Sequence, residues 1–172
     1  MEGILTATII STDALEAGDP FSTARFKPGD DTVPSPLWSV YLDTQPTPTS
    51  LFTTTKSTYR EPYDAARNRT NLAPLQFATT AEEVLLYNPE GEITESSVSN
   101  VALWRDGKWS TPPLQAGCLN GTVRQWLIEH GLVCEAEKAE LIKDSLKPGE
   151  WILLFNAVSG CRLGKVTPFG KT

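Results

Sequence analysis

Apolar and polar positions along the chain switch repeatedly between a period of two and a period near 3.6, the signatures of strands and helices. Gly3–Ser11 alternates with β-branched residues and predicts a strand. Thr12–Pro36 is rich in Asp, Gly, Pro and Ser and predicts a linker or a long surface loop. Trp38–Leu42 predicts a short strand, broken off by the Pro46–Pro48 stretch. Arg60–Arg69 predicts a helix, with Tyr63, Ala66 and Arg67 on one face. Glu83–Tyr87 predicts an apolar strand, Asn88-Pro89-Glu90-Gly91 a turn, and Glu92–Glu95 the returning arm of a hairpin. Val98–Arg105 and Lys108–Thr111 predict a second hairpin around Asp106-Gly107. After a loop over Pro112–Gly121, the residues Thr122–His130 predict a helix. Val123, Trp126, Leu127 and His130 share one face, and Gly131 is the stop. Val133–Glu137 then predicts a strand, Ala139–Ser145 a short helix, and Glu150–Phe155 a final buried strand. Strands and short helices interleave without an internal repeat, so the predicted class is mixed α/β.

Composition narrows the function classes. The 172 residues suffice for one domain with a real core. A formal net charge of -6 and few Lys/Arg clusters argue against a nucleic-acid surface. Apolar runs such as Trp151–Phe155 are too short to span a bilayer, so no membrane partner is expected. The start Met1-Glu2-Gly3-Ile4-Leu5 lacks a basic segment followed by an apolar one; no secretory signal and a cytoplasmic location are expected. Without a secretory route, the sequons Asn68-Arg69-Thr70 and Asn120-Gly121-Thr122 read as chance. Cys118, Cys134 and Cys161 are far apart, and His130 is the single histidine. That excludes the usual zinc spacings and a histidine-based triad, so no metal is expected and the cysteines read as reduced and structural.

Four stretches could carry chemistry. Lys56 sits in an uncharged, hydroxyl-rich run, Phe52-Thr53-Thr54-Thr55-Lys56-Ser57-Thr58-Tyr59. Glu92 and Glu95 lie on a predicted strand, where a buried carboxylate could keep a pyridine nitrogen protonated. Three residues apart on a strand, they should face opposite ways. Leu119-Asn120-Gly121-Thr122-Val123-Arg124 opens a helix whose free N–H groups suit a phosphate; Gly121 permits close approach and Thr122 adds a hydroxyl. Asn156-Ala157-Val158-Ser159-Gly160 is a polar turn at the end of a buried strand, where ligands often bind in α/β proteins.

Taken in order, these motifs resemble the class IV aminotransferase superfamily of pyridoxal-phosphate enzymes. The pattern is a lysine, Gly-Glu-x-x-Glu-x-Ser-x-x-Asn (Gly91 to Asn100), Thr-Pro-Pro-Leu (Thr111 to Leu114), Leu-x-Gly-Thr-x-Arg (Leu119 to Arg124) and Asn-Ala-x-x-Gly (Asn156 to Gly160). The resemblance runs from about Gly18 to about Val166. It is strongest to the 4-amino-4-deoxychorismate lyase branch, through Tyr63-Asp64-Ala65-Ala66-Arg67, Leu85-Leu86-Tyr87-Asn88 and the Asp106 to Leu114 stretch.

The resemblance implies the large, C-terminal domain of the D-amino-acid aminotransferase-like fold, a β pseudobarrel flanked by helices. It implies pyridoxal 5'-phosphate as cofactor and Lys56 as Schiff-base lysine and proton shuttle, its pKa lowered by a desolvated site near cationic groups. Glu95 becomes the pyridinium partner. Gly121, Thr122 and Val123 become the phosphate site, with Ala157 and Val158 completing it through backbone groups, and Asn100 and Asn156 supporting the ring. Thr111 is structural. The implied reaction converts 4-amino-4-deoxychorismate to p-aminobenzoate and pyruvate. The alternatives are a class IV transaminase of branched-chain or D-amino-acid type, or a truncated, catalytically poor relative. A homodimer acting on a small amino substrate is implied. Two departures stand out. Ala102 occupies a usually aromatic position two residues after Asn100. Residues 1–36 correspond to a remnant strand and linker of the family's small domain, and 37–172 to its cofactor-binding large domain. The small domain normally supplies a phosphate arginine, for which Arg25 and Arg60 are candidate substitutes.

Overall fold

The computed structural model describes residues 19–167; the strand predicted over Gly3–Ser11 lies outside them. Eight strands form a single sheet: β1 (Trp38–Leu42), β2 (Glu82–Tyr87), β3 (Ile93–Ser96), β4 (Asn100–Arg105), β5 (Lys108–Thr111), β6 (Cys134–Glu135), β7 (Trp151–Asn156) and β8 (Gly160–Thr167). Their spatial order is β3-β2-β1-β8-β7-β4-β5-β6. Strands β1 and β2 are parallel, and the chain crosses between them through α1 (Leu51–Thr54) and α2 (Glu61–Arg69). The hairpins β2–β3, β4–β5 and β7–β8 are antiparallel. The third helix, α3 (Thr122–Glu129), follows β5.

The sheet curls until its ends meet. Beyond β6 the chain returns to β3, where Ile142 bridges to Glu92, the Ile93 N–H donates to the Leu141 carbonyl (2.8 Å) and the Lys143 N–H to that of Gly91 (2.9 Å). Alternate strand residues then fill the enclosed side: Val40 and Leu42, Leu85 and Tyr87, Val101 and Leu103, Ile152 and Leu154. The residues between them face outward and are buried as well. Tyr41, Val84 and Leu86 lie under Ala66 of α2, and Ala102, Leu153 and Phe155 lie under Val123 and Leu127 of α3. Burial on both faces explains why β2 and β7 read as continuous apolar runs rather than alternating ones. Among the described residues, no helix is long and apolar enough to cross a membrane.

Several elements depart from their predicted form. The strand predicted over Val133–Glu137 shrinks to Cys134–Glu135, and the helix predicted over Ala139–Ser145 survives only as a 3-10 turn, Lys143–Ser145. The cause is competition from distant partners. Leu141 gives its carbonyl to Ile93, and Glu92 Oε1 accepts from the Ala139 N–H (2.8 Å). The Leu141 carbonyl is then unavailable to a local helix, and Ala139, which would open it, has a left-handed φ of 61°. The strand predicted as final is followed by β8, which lies between β1 and β7 at the centre of the sheet. Two glycines and two cations hide it. Arg162 and Lys165 spend their charge over the rings of Trp38 (4.7 Å) and Trp151 (4.2 Å). Four-residue α1 is too short to show a period; Ser50 caps it, accepting from the Phe52 N–H (3.2 Å). His130 is exposed and stacks on Trp126 (4.0 Å between centroids), while Arg124 takes the buried face of α3, donating to the Pro112 carbonyl (2.9 Å) and pairing with Glu135.

Residues 19–36 contain no strand, as the loop reading requires, yet part of this stretch is packed. Ala24 and Phe26 are buried against the outer face of the sheet. The Cys161 N–H donates to the Pro20 carbonyl (2.8 Å), and Trp109 Nε1 donates to that of Phe26 (3.0 Å).

Candidate functional site

A cavity of about 410 Å³ opens on the outer side of the sheet, where α2, the Ser96–Asn100 turn, the start of α3 and the end of β7 converge. Eight of the nine residues singled out from sequence line it: Lys56, Glu95, Asn100, Gly121, Thr122, Val123, Asn156 and Ala157. Val158 does not; it lies in the β7–β8 turn, 62% exposed. Arg60 lines the cavity, whereas Arg25 sits at the surface paired with Asp19 (3.5 Å).

Glu95 is buried at the end of β3. Its Oε1 accepts from the Tyr63 hydroxyl (2.7 Å) and its Oε2 from the Leu119 N–H (3.1 Å). Burial pushes its carboxyl up to about 7, with Tyr63, Leu119 and Lys56 opposing the rise. Glu92 is buried too, but faces away from the cavity. It accepts from Asn88 Nδ2 (3.0 Å) and the Ala139 N–H, in the seam that joins the two ends of the sheet. The two glutamates therefore have separate surroundings, as three-residue spacing on a strand predicts. Lys56, in the loop between α1 and α2, is exposed, so the described residues do not supply the desolvation expected for it.

The other wall is a set of tethered turns. Asn100 Nδ2 donates to the Leu119 carbonyl (2.8 Å), holding the loop that leads into α3. Asn156 Nδ2 donates to the Val98 carbonyl (3.2 Å) and Ser99 Oγ (2.9 Å), while its Oδ1 accepts from the N–H groups of Val158 (2.9 Å) and Ser159 (2.8 Å). One amide thus joins two cavity turns. Helix α3 begins at Gly121 with no side-chain cap, so its first N–H groups are left to whatever enters the cavity. A phosphate suits that position, a carboxylate acceptor lies across from it and an amine stands at the rim, which is the donor set a phosphorylated pyridine aldehyde requires.

Sequence reading placed Tyr63 on a helix face and in the Tyr63 to Arg67 motif, but gave it no role at the site. Ser97, which stood in the Gly91 to Asn100 motif without a role, carries the wall of the cavity. The Ser97 hydroxyl donates to Glu83 (2.5 Å), Glu83 pairs with Arg67 (3.1 Å) within the interior, and Arg60 Nη2 donates to the Ser97 carbonyl (3.0 Å). The place of Ser97 in that motif was the available signal; the burial of Glu83 in β2 against Arg67 in α2 is decided by packing.

Comparison with known proteins places this geometry among relatives. Residues 20–165 match the family model for amino-transferase class IV. A Schizosaccharomyces pombe protein assigned as an aminodeoxychorismate lyase is 43% identical over 122 residues, covering 70% of this chain and 51% of that protein. The aminodeoxychorismate lyase of Saccharomyces cerevisiae is 36% identical over 141 residues, covering 75% of this chain and 37% of that enzyme. Among solved structures, a protein of Mesorhizobium loti assigned as an amino-acid aminotransferase superposes with a TM-score of 0.59 at 26% identity, over 81% of this chain and 64% of its own. The chain spans about half the length of the S. pombe relative and less of the S. cerevisiae one.

Proposed function

The chain belongs to the class IV aminotransferase family, and from that premise we propose that it forms the pyridoxal-phosphate side of a lyase. The reaction is conversion of 4-amino-4-deoxychorismate to p-aminobenzoate and pyruvate, a step toward folate precursors. The observation that carries the reading is that Lys56, Glu95 and the uncapped start of α3 line one cavity. The lyase names of two fungal relatives at 43% and 36% identity support this reaction over others in the family.

When bound, the cofactor would supply an electron sink for a carbanion next to the substrate nitrogen. The remaining work falls to the chain. The N–H groups of Thr122 and Val123 would hold the phosphate, aided by the Thr122 hydroxyl. Glu95 would accept from the ring N–H and keep that nitrogen charged. Lys56 Nζ would anchor the cofactor until the substrate amine displaces it, and the freed amine would then take the proton from the substrate ring and return it to the departing enol, which leaves as pyruvate. Asn100 and Asn156 keep the turns in register. Arg60, at the cavity wall, already pairs with Asp64 and donates to the Ser97 carbonyl, so a carboxylate or phosphate would have to share it.

Transamination of an amino acid is the second reading, supported by the aminotransferase assignment of the M. loti structure. It would use the same three groups.

Borohydride reduction after incubation with pyridoxal phosphate, followed by peptide mapping, tests the shared premise. Label is expected on the Lys56 peptide, and label confined to another lysine overturns it. Release of p-aminobenzoate, compared with amine transfer to pyruvate or 2-oxoglutarate, then decides between the two reactions.

A further inference from the structure

We propose that Tyr63 is a positioning residue for Glu95, its hydroxyl acting with the Leu119 N–H to hold that side chain as a fixed, anionic acceptor in the cavity wall. The proposal rests on the cofactor reading above for its purpose, although not for its geometry.

Each oxygen of Glu95 meets one donor, Tyr63 at Oε1 (2.7 Å) and the Leu119 N–H at Oε2 (3.1 Å). A main-chain N–H can only donate, so Oε2 cannot carry a proton toward it. With a proton on Oε1, the phenol would have to turn and accept, giving up its own donation. The ionised carboxylate satisfies both partners at once and keeps free lone pairs for a third donor. The phenol is also secured as a donor, because burial, then the charge of Glu95, raises its pKa well above the ordinary tyrosine value.

Among the described residues, three ionisable groups face this pair. Arg60 of α2 lies 5.4 Å from the Tyr63 ring centroid, and Lys56 approaches from the loop after α1. Cys118 lies in the loop before α3, its thiol raised by burial to about 11 and so neutral. Asp64 pairs with Arg60 at 3.6 Å and is half exposed. Lys56 favours the anionic form of Glu95. Among the described residues, Tyr63 and Leu119 are the donors that fix its direction. The Tyr63 ring packs with Ala66, Leu72, Val84 and Leu86, which locks the hydroxyl in place.

Tyr63→Phe keeps the ring and deletes the donor. In the full chain without cofactor, carbon-13 NMR of labelled glutamate, with Glu95→Gln identifying the resonance, reads the Glu95 titration directly. Loss of one hydrogen bond to a charged group, partly replaced by water, is expected to raise its pKa by about one unit, or tenfold in acidity. Tyr63→3-fluorotyrosine, a stronger donor of nearly the same shape, is expected to shift it down and decides the question if the phenylalanine variant does not fold. No shift in either variant overturns the proposal. In the Tyr63→Phe variant, pyridoxal phosphate affinity is expected to fall several-fold at pH 7 and to approach wild type at pH 9, where Glu95 is ionised in both proteins. A Glu95 shift in a wild-type protein that binds no pyridoxal phosphate would uphold the Tyr63 geometry while overturning the cofactor reading.

Discussion

At the scale of single residues, the two glutamates of β3 and its preceding turn have opposite assignments. Glu95→Gln is expected to lower turnover about 10- to 100-fold, because a neutral amide cannot hold a charged ring nitrogen. Glu92→Gln instead opposes an N–H₂ to one of the two donors, Asn88 and Ala139, that its carboxylate now satisfies. Its expected effect is a loss of about 1–3 kcal/mol in stability with cofactor affinity little changed. Urea denaturation and cofactor titration on both variants separate the roles; a stable Glu92→Gln with no activity would exchange them. The raised carboxyl of Glu95 also has a pH signature. Its value in the fold, about 7, exceeds the ordinary 4.5, so the folded state binds the proton more tightly than the unfolded chain. Its stabilising share is complete below about 4.5 and is lost as pH rises through 7. That share is at most about 3 kcal/mol. Cofactor-free Tm should therefore decline across this window in the wild type and decline less in Glu95→Gln.

At the scale of elements, the start of α3 depends on a close approach. A Cβ on Gly121 would lie 2.3 Å from Asn100 Oδ1, and Asn100 is itself tied to the Leu119 carbonyl. Gly121→Ala must push Asn100 out of that bond or displace the helix start. About 1–3 kcal/mol of destabilisation is expected, together with weaker binding of phosphate-bearing ligands. Adding Asn100→Ala makes room, so the double variant should recover part of the stability relative to the sum of the single changes. Strict additivity in urea melts would mean that the two residues do not touch. The remaining devices at this scale are tethers. Asn156 links two turns, and the Arg67–Glu83–Ser97 network ties α2 to β2 and to the cavity wall.

At the scale of the whole molecule, the sheet is closed by a segment with almost no regular structure. Residues 136–142 carry Leu141, 2% exposed, into the enclosed core beside Ile93 and Leu103. Leu141→Ala is expected to cost about 2–5 kcal/mol, as for a leucine inside a strand core. Lys138→Ala, exposed in the same segment, should stay within about 0.5 kcal/mol. Equal, small effects in chemical denaturation would show that the seam is an ordinary loop. The seam also sits behind the site, since Glu92 at the seam and Glu95 at the cavity belong to the same stretch of chain.

Read as a string, the chain already determined its strands and helices wherever the cause was local. Trp38–Leu42, Lys108–Thr111 and the helix starting at Thr122 appear where period and turn residues put them. The ordered motifs likewise identified eight residues that converge on one cavity, because backbone turns and helix starts of fixed chemistry are written in short runs. Tertiary structure alone decided the rest. Strand β8 gains its central place only by pairing with both β1 and β7, and its cations find tryptophan faces that no local pattern announces. The 139–145 stretch gives up a helix because Ile93, nearly fifty residues earlier, captures the Leu141 carbonyl. Tyr63 meets Glu95 across 32 positions of sequence, and such a meeting is decided by how α2 packs on the sheet, since neighbours in space need leave no mark on neighbours along the chain.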